Sequence, residues 1–153
     1  MKLEYLPMRD CDLDAVEDFS RELIERYEDL DGLDLRLDEI MAWQRRKLEK
    51  RRPEYTRVTR DGETVAYICC AFDSELPDSG RTGLELDDLY VLPQYRNQGV
   101  GGEVLRRCCA LTDGPVWFYV FTQNTRAVAL YERLGFRVTR TVSPTRSIME
   151  LAR

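Results

Sequence analysis

The sequence predicts a mixed α/β fold, with a central sheet of six to seven strands and about four helices. Three observations carry this. "YTRVTRDGETVAYICCAF" holds two β-rich runs around Asp61-Gly62, a dipeptide suited to a type I′ turn, so it reads as a hairpin. "QYRNQGVGGEV" places three glycines between a strand pattern and a helix pattern. "VWFYVF" is continuously apolar, as in a strand buried on both faces, and helical spacing follows it. Hairpins together with a β-α-β crossover require a mixed sheet.

Taken in order, "KLEYLPMR" reads as the opening strand. Asp10 or Asp12 would cap a helix with Leu13, Val16, Phe19, Leu23, Ile24 and Tyr27 on its apolar face. "DGLD" interrupts it, and a second helix runs from about Leu37 to Lys50, with Pro53 beyond its end. The hairpin follows, then "DSELPDSGRTG" as a loop and "LELDDLYV" as a strand. The helix after the glycines turns Val100, Val104, Leu105, Cys108 and Leu111 to one side, and "TDGP" stops it. After "VWFYVF", residues Thr125 to Leu134 space Ala127, Leu130, Tyr131 and Leu134 helically, with Gly135 as C-cap. "RVTRTV" and "SIMELA" close the chain as strands around Pro144. The expected order is β-α-α-β-β-β-α-β-α-β-β, one domain over 1–153 with no linker or internal repeat.

Several function classes are set aside by the totals. A net charge of −5 argues against a general nucleic-acid binder, which needs a basic surface. No apolar run is long enough for a membrane span, and "MKLEYLPMRDCDLD" lacks a signal-peptide core, so a cytoplasmic protein is expected. The acid is densest in "ERYEDLDGLDLRLDE", which reads as a solvated helix face and loop or as a wall attracting a cationic substrate. Five cysteines without zinc spacing, and no histidine at all, leave no metal-site pattern. Reduced, buried thiols are expected of them. Without histidine, a general base must be a carboxylate, tyrosine, cysteine, lysine or water.

Glycine is poor inside a helix, so a cluster at a helix start needs a reason. The first turn exposes amides without internal partners, and the helix dipole adds about half a positive charge. Bare backbone at Gly99, Gly101 and Gly102 would let an anion reach those amides. The segment lacks the G-K-[ST] of a P-loop, and Val104 stands where a Rossmann fingerprint needs glycine.

"R-N-Q-G-V-G", from Arg96 to Gly101, resembles the R/Q-x-x-G-x-G/A signature of the GNAT N-acetyltransferase family. "LDDLYVLPQYR" before it looks like that family's fourth strand and turn, and "NTRAVALYERLGF" resembles its second motif. The resemblance implies a GNAT acyltransferase-like fold, with acetyl-CoA as co-substrate and no metal. It implies that the acetyl group passes to a primary amine by direct attack through a tetrahedral intermediate. Carried over, the pyrophosphate would be held at Arg96, Asn97, Gln98, Gly99, Val100, Gly101 and Gly102. The pantetheine arm would run beside Leu89 and Val91 as an added strand. Asn124 matches the family asparagine that contacts the cofactor. A bulge in the fourth strand is usual in the family; nothing in the sequence shows one.

The resemblance also assigns the chemistry. Tyr131 matches the tyrosine near the CoA sulfur, where a phenol can protonate or hydrogen-bond the leaving thiolate; on its residues alone it could equally be a packed core tyrosine. Val91 would supply an N–H to the oxyanion. A lysine-like amine is almost wholly protonated at neutral pH, so a base is needed. Glu85 sits where histone-type members carry theirs and Asp87 where polyamine-type members do, and water remains an alternative. Strand alternation places Glu85 and Asp87 on one face with Leu89 and Val91, and Asp88 on the other with Leu86 and Tyr90.

The expected acceptor is a small, cationic primary amine. The alternatives are a protein N-terminus or lysine, a hydroxyl, and a non-catalytic acyl-CoA sensor. No nucleic-acid or membrane partner is expected, and the chain would be a monomer or a homodimer, with "SIMELA" able to pair with a partner chain.

Overall fold

The computed structural model describes residues 1–151 and 153. Its elements are β1 (Glu4–Pro7), α1 (Asp10–Tyr27), α2 (Leu37–Lys50), β2 (Tyr55–Arg60), β3 (Glu63–Glu75), β4 (Thr82–Val91), α3 (Val100–Cys109), β5 (Val116–Phe121), α4 (Thr125–Arg133), β6 (Arg137–Thr141) and β7 (Arg146–Leu151). Short 3₁₀ turns at Arg52–Glu54 and Pro93–Tyr95 complete the list. The strands hydrogen-bond in the order β1-β2-β3-β4-β5-β7-β6. β4 and β5 pair in parallel, whereas β1-β2, β2-β3, β5-β7 and β6-β7 are antiparallel. The expected mixed sheet and element order are therefore present.

Two compact units divide the chain. The first is Met1–Cys69 with Asp88–Arg96, and the second is Cys70–Asp87 with Asn97–Arg153.

In the first unit, α1 packs its apolar stripe into a core of Met8, Leu13, Val16, Leu48, Tyr55, Tyr67, Cys69 and Tyr90. Fully burying one such side chain contributes about 1.5–3 kcal/mol. Neither Asp10 nor Asp12 is the N-cap of α1, contrary to expectation; Arg9 occupies that position. Asp12 lies three residues on and reaches back, its Oδ2 accepting from the Arg9 backbone N–H at 2.8 Å. That is the return half of a capping box, made by a carboxylate in the helix rather than before it. Asp12 is only 2% exposed. It also accepts from the Arg9 side chain and the Tyr67 hydroxyl. Along the exposed side, Arg45 of α2 bridges Asp14 and Glu17 of α1 and Glu49 of its own helix. Part of the acidity of α1 is thus occupied in tying two helices together. The hairpin turns at Asp61 (φ 54°) and Gly62 (φ 79°), the paired positive φ that a type I′ turn demands.

In the second unit, β3 continues through Glu75, so Asp73–Glu75 are strand where the sequence reads as loop. Val100, Val104, Leu105 and Cys108 are the buried face of α3. Glu150 is buried against a two-point contact with Arg81. α4 ends at Arg133 with Leu134, not Gly135, as its C-cap; Gly135 is the next residue, and its φ of 99° accommodates the exit of the chain. Two further expectations fail here. β5 is not buried on both faces, because Tyr119 is 43% exposed at its centre. β7 is not free to pair with a partner chain: β5 and β6 take its two sides, and the edge falls to β6.

Candidate active site

The glycine segment belongs to the second unit and opens α3. Asn97 (φ 62°) and Gly99 (φ 83°) are both left-handed, and Gly99 is the N-cap. Glycine enters that region without steric cost, and asparagine tolerates it better than most side chains. The ladder of α3 begins with the Glu103 N–H donating to the Gly99 carbonyl at 3.1 Å. The amides of Val100, Gly101 and Gly102 therefore lie ahead of it, in the turn that the helix cannot satisfy itself. A Cβ at Gly102 would meet nothing nearer than the Arg106 guanidinium at 3.5 Å, so the helix does not need that glycine for packing. Arg126, in the first turn of α4, donates to the Asn97 side-chain oxygen at 3.2 Å and sets a cation beside the loop.

Asn124 is the N-cap of α4, and its carbonyl accepts from the Val128 N–H at 3.0 Å. Tyr131 stands in the same helix. Its ring meets Phe118 edge-on at 4.5 Å and lies 6.4 Å from Phe136, which is itself 5.0 Å from Phe118. This aromatic group fixes the ring, and burial pushes the phenol up to about 12. The hydroxyl thus holds its proton throughout the neutral range.

Glu85 and Asp87 are half-buried in the same unit. The Ser74 hydroxyl donates to Glu85 Oε1 at 2.8 Å, and Glu85 pairs with Trp117 where β4 meets β5. The register between these parallel strands pairs Leu84 with Val116 and Glu85 with Trp117. Tyr119 is brought to this cluster. Burial raises its phenol first, and the Glu85 carboxylate adds to the effect, with Asp87 contributing last. Sequence reasoning missed Tyr119 by taking its strand as uniformly buried. It missed Ser74 by ending the preceding strand too soon.

The remaining expected residues lie in the first unit. Leu89 and Val91 are half-buried at the end of strand β4, and Arg96 is exposed, donating its Nε–H to the Val91 carbonyl at 3.0 Å. Asp88 is the surprise. It adopts φ 57° in the middle of a strand, with Tyr55 and Tyr90 both donating to its carboxylate. A left-handed residue breaks the extended run and is the local irregularity for which the sequence offered no sign.

Known proteins resemble this chain in sequence and in fold. The model of the acetyltransferase (GNAT) family matches residues 14–136. The peptidyl-lysine N-acetyltransferase YjaB of Salmonella typhimurium is 38% identical over 87 residues, which are 57% of this chain and 52% of that protein. Histone acetyltransferase MCC1 of Arabidopsis thaliana is 26% identical over 158 residues, covering 90% of this chain and 61% of that protein. The chain thus spans about half to three fifths of the length of these two relatives. The PaiA N-acetyltransferase of Thermoplasma acidophilum, solved with coenzyme A, shares the fold at TM-score 0.63 and 19% identity over 100% of both chains. With a family model spanning most of its length and the sheet order and glycine-led helix in place, the chain belongs to the GNAT acetyltransferase family.

Proposed function

We propose that the chain is an acetyl-CoA-dependent N-acetyltransferase acting on a primary amine. The observation that carries this is the start of α3, where left-handed Asn97 and Gly99 precede amides that the helix leaves without ladder partners. Such a turn suits a pyrophosphate in both charge and bareness. Asn97, Gln98, Gly99, Val100, Gly101 and Gly102 would hold it, with charge from Arg96 and Arg126. Leu89, Val91 and Asn124 would contact the rest of the cofactor. Bound acetyl-CoA supplies an activated acetyl group as a thioester.

Glu85 is the preferred base, since the Ser74 hydroxyl donates to its Oε1 and orients the carboxylate. Asp87, beside it in sequence, or a water molecule, is the alternative. The Val91 amide would face the oxygen on which negative charge develops. Tyr131 would act at the departing sulfur. A phenol raised to about 12 stabilises a thiolate by donating a hydrogen bond more readily than by surrendering its proton.

Of the acceptors considered, two draw specific support. The acidic surface favours a small cationic amine, although Arg45 already engages part of it. The names of the relatives, a peptidyl-lysine and a histone acetyltransferase, favour a lysine side chain.

Thermal unfolding with acetyl-CoA, against ATP, tests the reading first. Ligand at 100 times its Kd adds about 2.7 kcal/mol. Gly99→Ala should cost about 1 kcal/mol of stability because its φ is positive, and should abolish the acetyl-CoA shift. No shift in the parent protein at millimolar acetyl-CoA would sink the assignment. With binding established, a panel of polyamines and lysine peptides separates the two acceptor classes.

A further inference from the structure

We propose that Cys70 and Cys108 form a reversible disulfide, making the second unit a peroxide-responsive thiol pair. Cys70 lies in β3 and Cys108 in the last turn of α3, and their Sγ atoms are 3.6 Å apart. A disulfide needs about 2.05 Å, so the sulfurs must approach by about 1.5 Å, within reach of side-chain torsion and small backbone shifts. Their environments differ in a useful way. Cys108 is fully buried, whereas Cys70 is half-buried and reachable by a small oxidant. The hydrogen bond between the two sulfurs, with the Arg107 cation, favours the thiolate at Cys70, while the same contact and burial keep Cys108 protonated. An accessible thiolate beside a buried thiol is the arrangement of an attacking and a resolving cysteine. The other three thiols stand in different settings: Cys69 is buried in the first unit's core, Cys11 is exposed, and burial raises Cys109.

The chemistry balances with hydrogen peroxide as the oxidant. The Cys70 thiolate attacks one oxygen, the O–O bond breaks, and Cys70 sulfenic acid and hydroxide result. The Cys108 sulfur then attacks the Cys70 sulfur. The S–S bond forms, the S–O bond breaks, and the departing hydroxide and the released proton give water. Two thiols lose two electrons and the peroxide is reduced to two waters. The bond would tie β3 to α3, the helix whose first turn carries the glycines. It stands independently of the acetyl-transfer reading.

The test treats the full chain with hydrogen peroxide, alkylates remaining thiols, and maps peptides without reduction. The expected result is a cross-link joining Cys70 to Cys108, with free thiols falling from five to three and returning with dithiothreitol. Cys70→Ser and Cys108→Ser should each abolish the cross-link, and Cys11→Ser should retain it. Because the parent protein is mapped directly, poor folding of a variant leaves the test intact. Full alkylation of both residues after peroxide, sulfinic acid at Cys70 without a cross-link, or a cross-link to another cysteine would overturn the proposal.

Discussion

Tyr55 donates its hydroxyl to the Asp88 carboxylate at 2.5 Å, and that carboxylate belongs to a residue at φ 57° within β4. Tyr90 donates to its other oxygen at 3.0 Å. Phe19 in turn stacks on Tyr90, with ring centroids 5.3 Å apart. The irregular backbone is held by the side chain that sits on it. Asp88→Ala should lose both bonds, at about 1–3 kcal/mol, and also carry the left-handed penalty of about 1 kcal/mol. Asp88→Gly loses the bonds without the penalty. Urea unfolding should therefore rank alanine below glycine, the reverse of the order usual in a strand. Equal or inverted stabilities would show that the φ at this position imposes no strain.

Asp12 offers a test in acid. Burial alone would raise its carboxyl, but hydrogen bonds from the Arg9 side chain and backbone and from Tyr67 outweigh it and hold the pKa below the usual value. A depressed folded-state pKa stabilises the protein above the unfolded value, near 3.9, and the benefit is lost as pH falls through the folded one. Asp12→Asn should cost about 1.5–3 kcal/mol at neutral pH, the range for losing hydrogen bonds to a charged group. It should also flatten the loss of stability below about pH 4. Denaturant midpoints measured from pH 2 to 7 would check both; parallel curves for parent and variant would contradict the linkage.

Tyr131 makes the complementary prediction in base. Its phenol ordinarily titrates near 10, and burial carries it up to about 12. Between those values the unfolded chain releases a proton that the folded chain keeps, so stability falls as pH rises. Tyr131→Phe should lessen that alkaline slope while preserving the packing with Phe118 and Phe136. In the proposed reaction the same change should lower kcat by about 100-fold or more with little effect on KM for acetyl-CoA. Steady-state kinetics beside a pH-stability series separates the two effects. An unaltered kcat would leave Tyr131 as a core residue.

Features encoded locally were legible. Asp61-Gly62 announced its turn, Gly135 its helix end, and α2 began and ended where its pattern and Pro53 placed it. The start of α3 was legible as a helix entry, because glycine takes the left-handed N-cap conformation of Gly99 without steric cost. What escaped depends on distant partners. Nothing in "LELDDLYV" distinguishes Asp88 from an ordinary strand residue until Tyr55, far away in sequence, supplies a donor. The helix cap was misplaced because Asp12 answers to Tyr67 as well as to Arg9. The interior position of β7 depends on strand order, which alternation of side chains does not encode.

Among the described residues, five of the six non-glycine residues with positive φ are aspartates: Asp34, Asp61, Asp73, Asp78 and Asp88. A short polar side chain, charged or not, is what fits that backbone region. A share of this protein's acidity is therefore spent on shaping the backbone, and its isoelectric point is a loose guide to its partners. The two properties can be pulled apart. Changing Asp34, Asp61, Asp73 and Asp78 together to asparagine would move the formal net charge from −5 to −1, four negative charges fewer, on a chain that still bends in the same places.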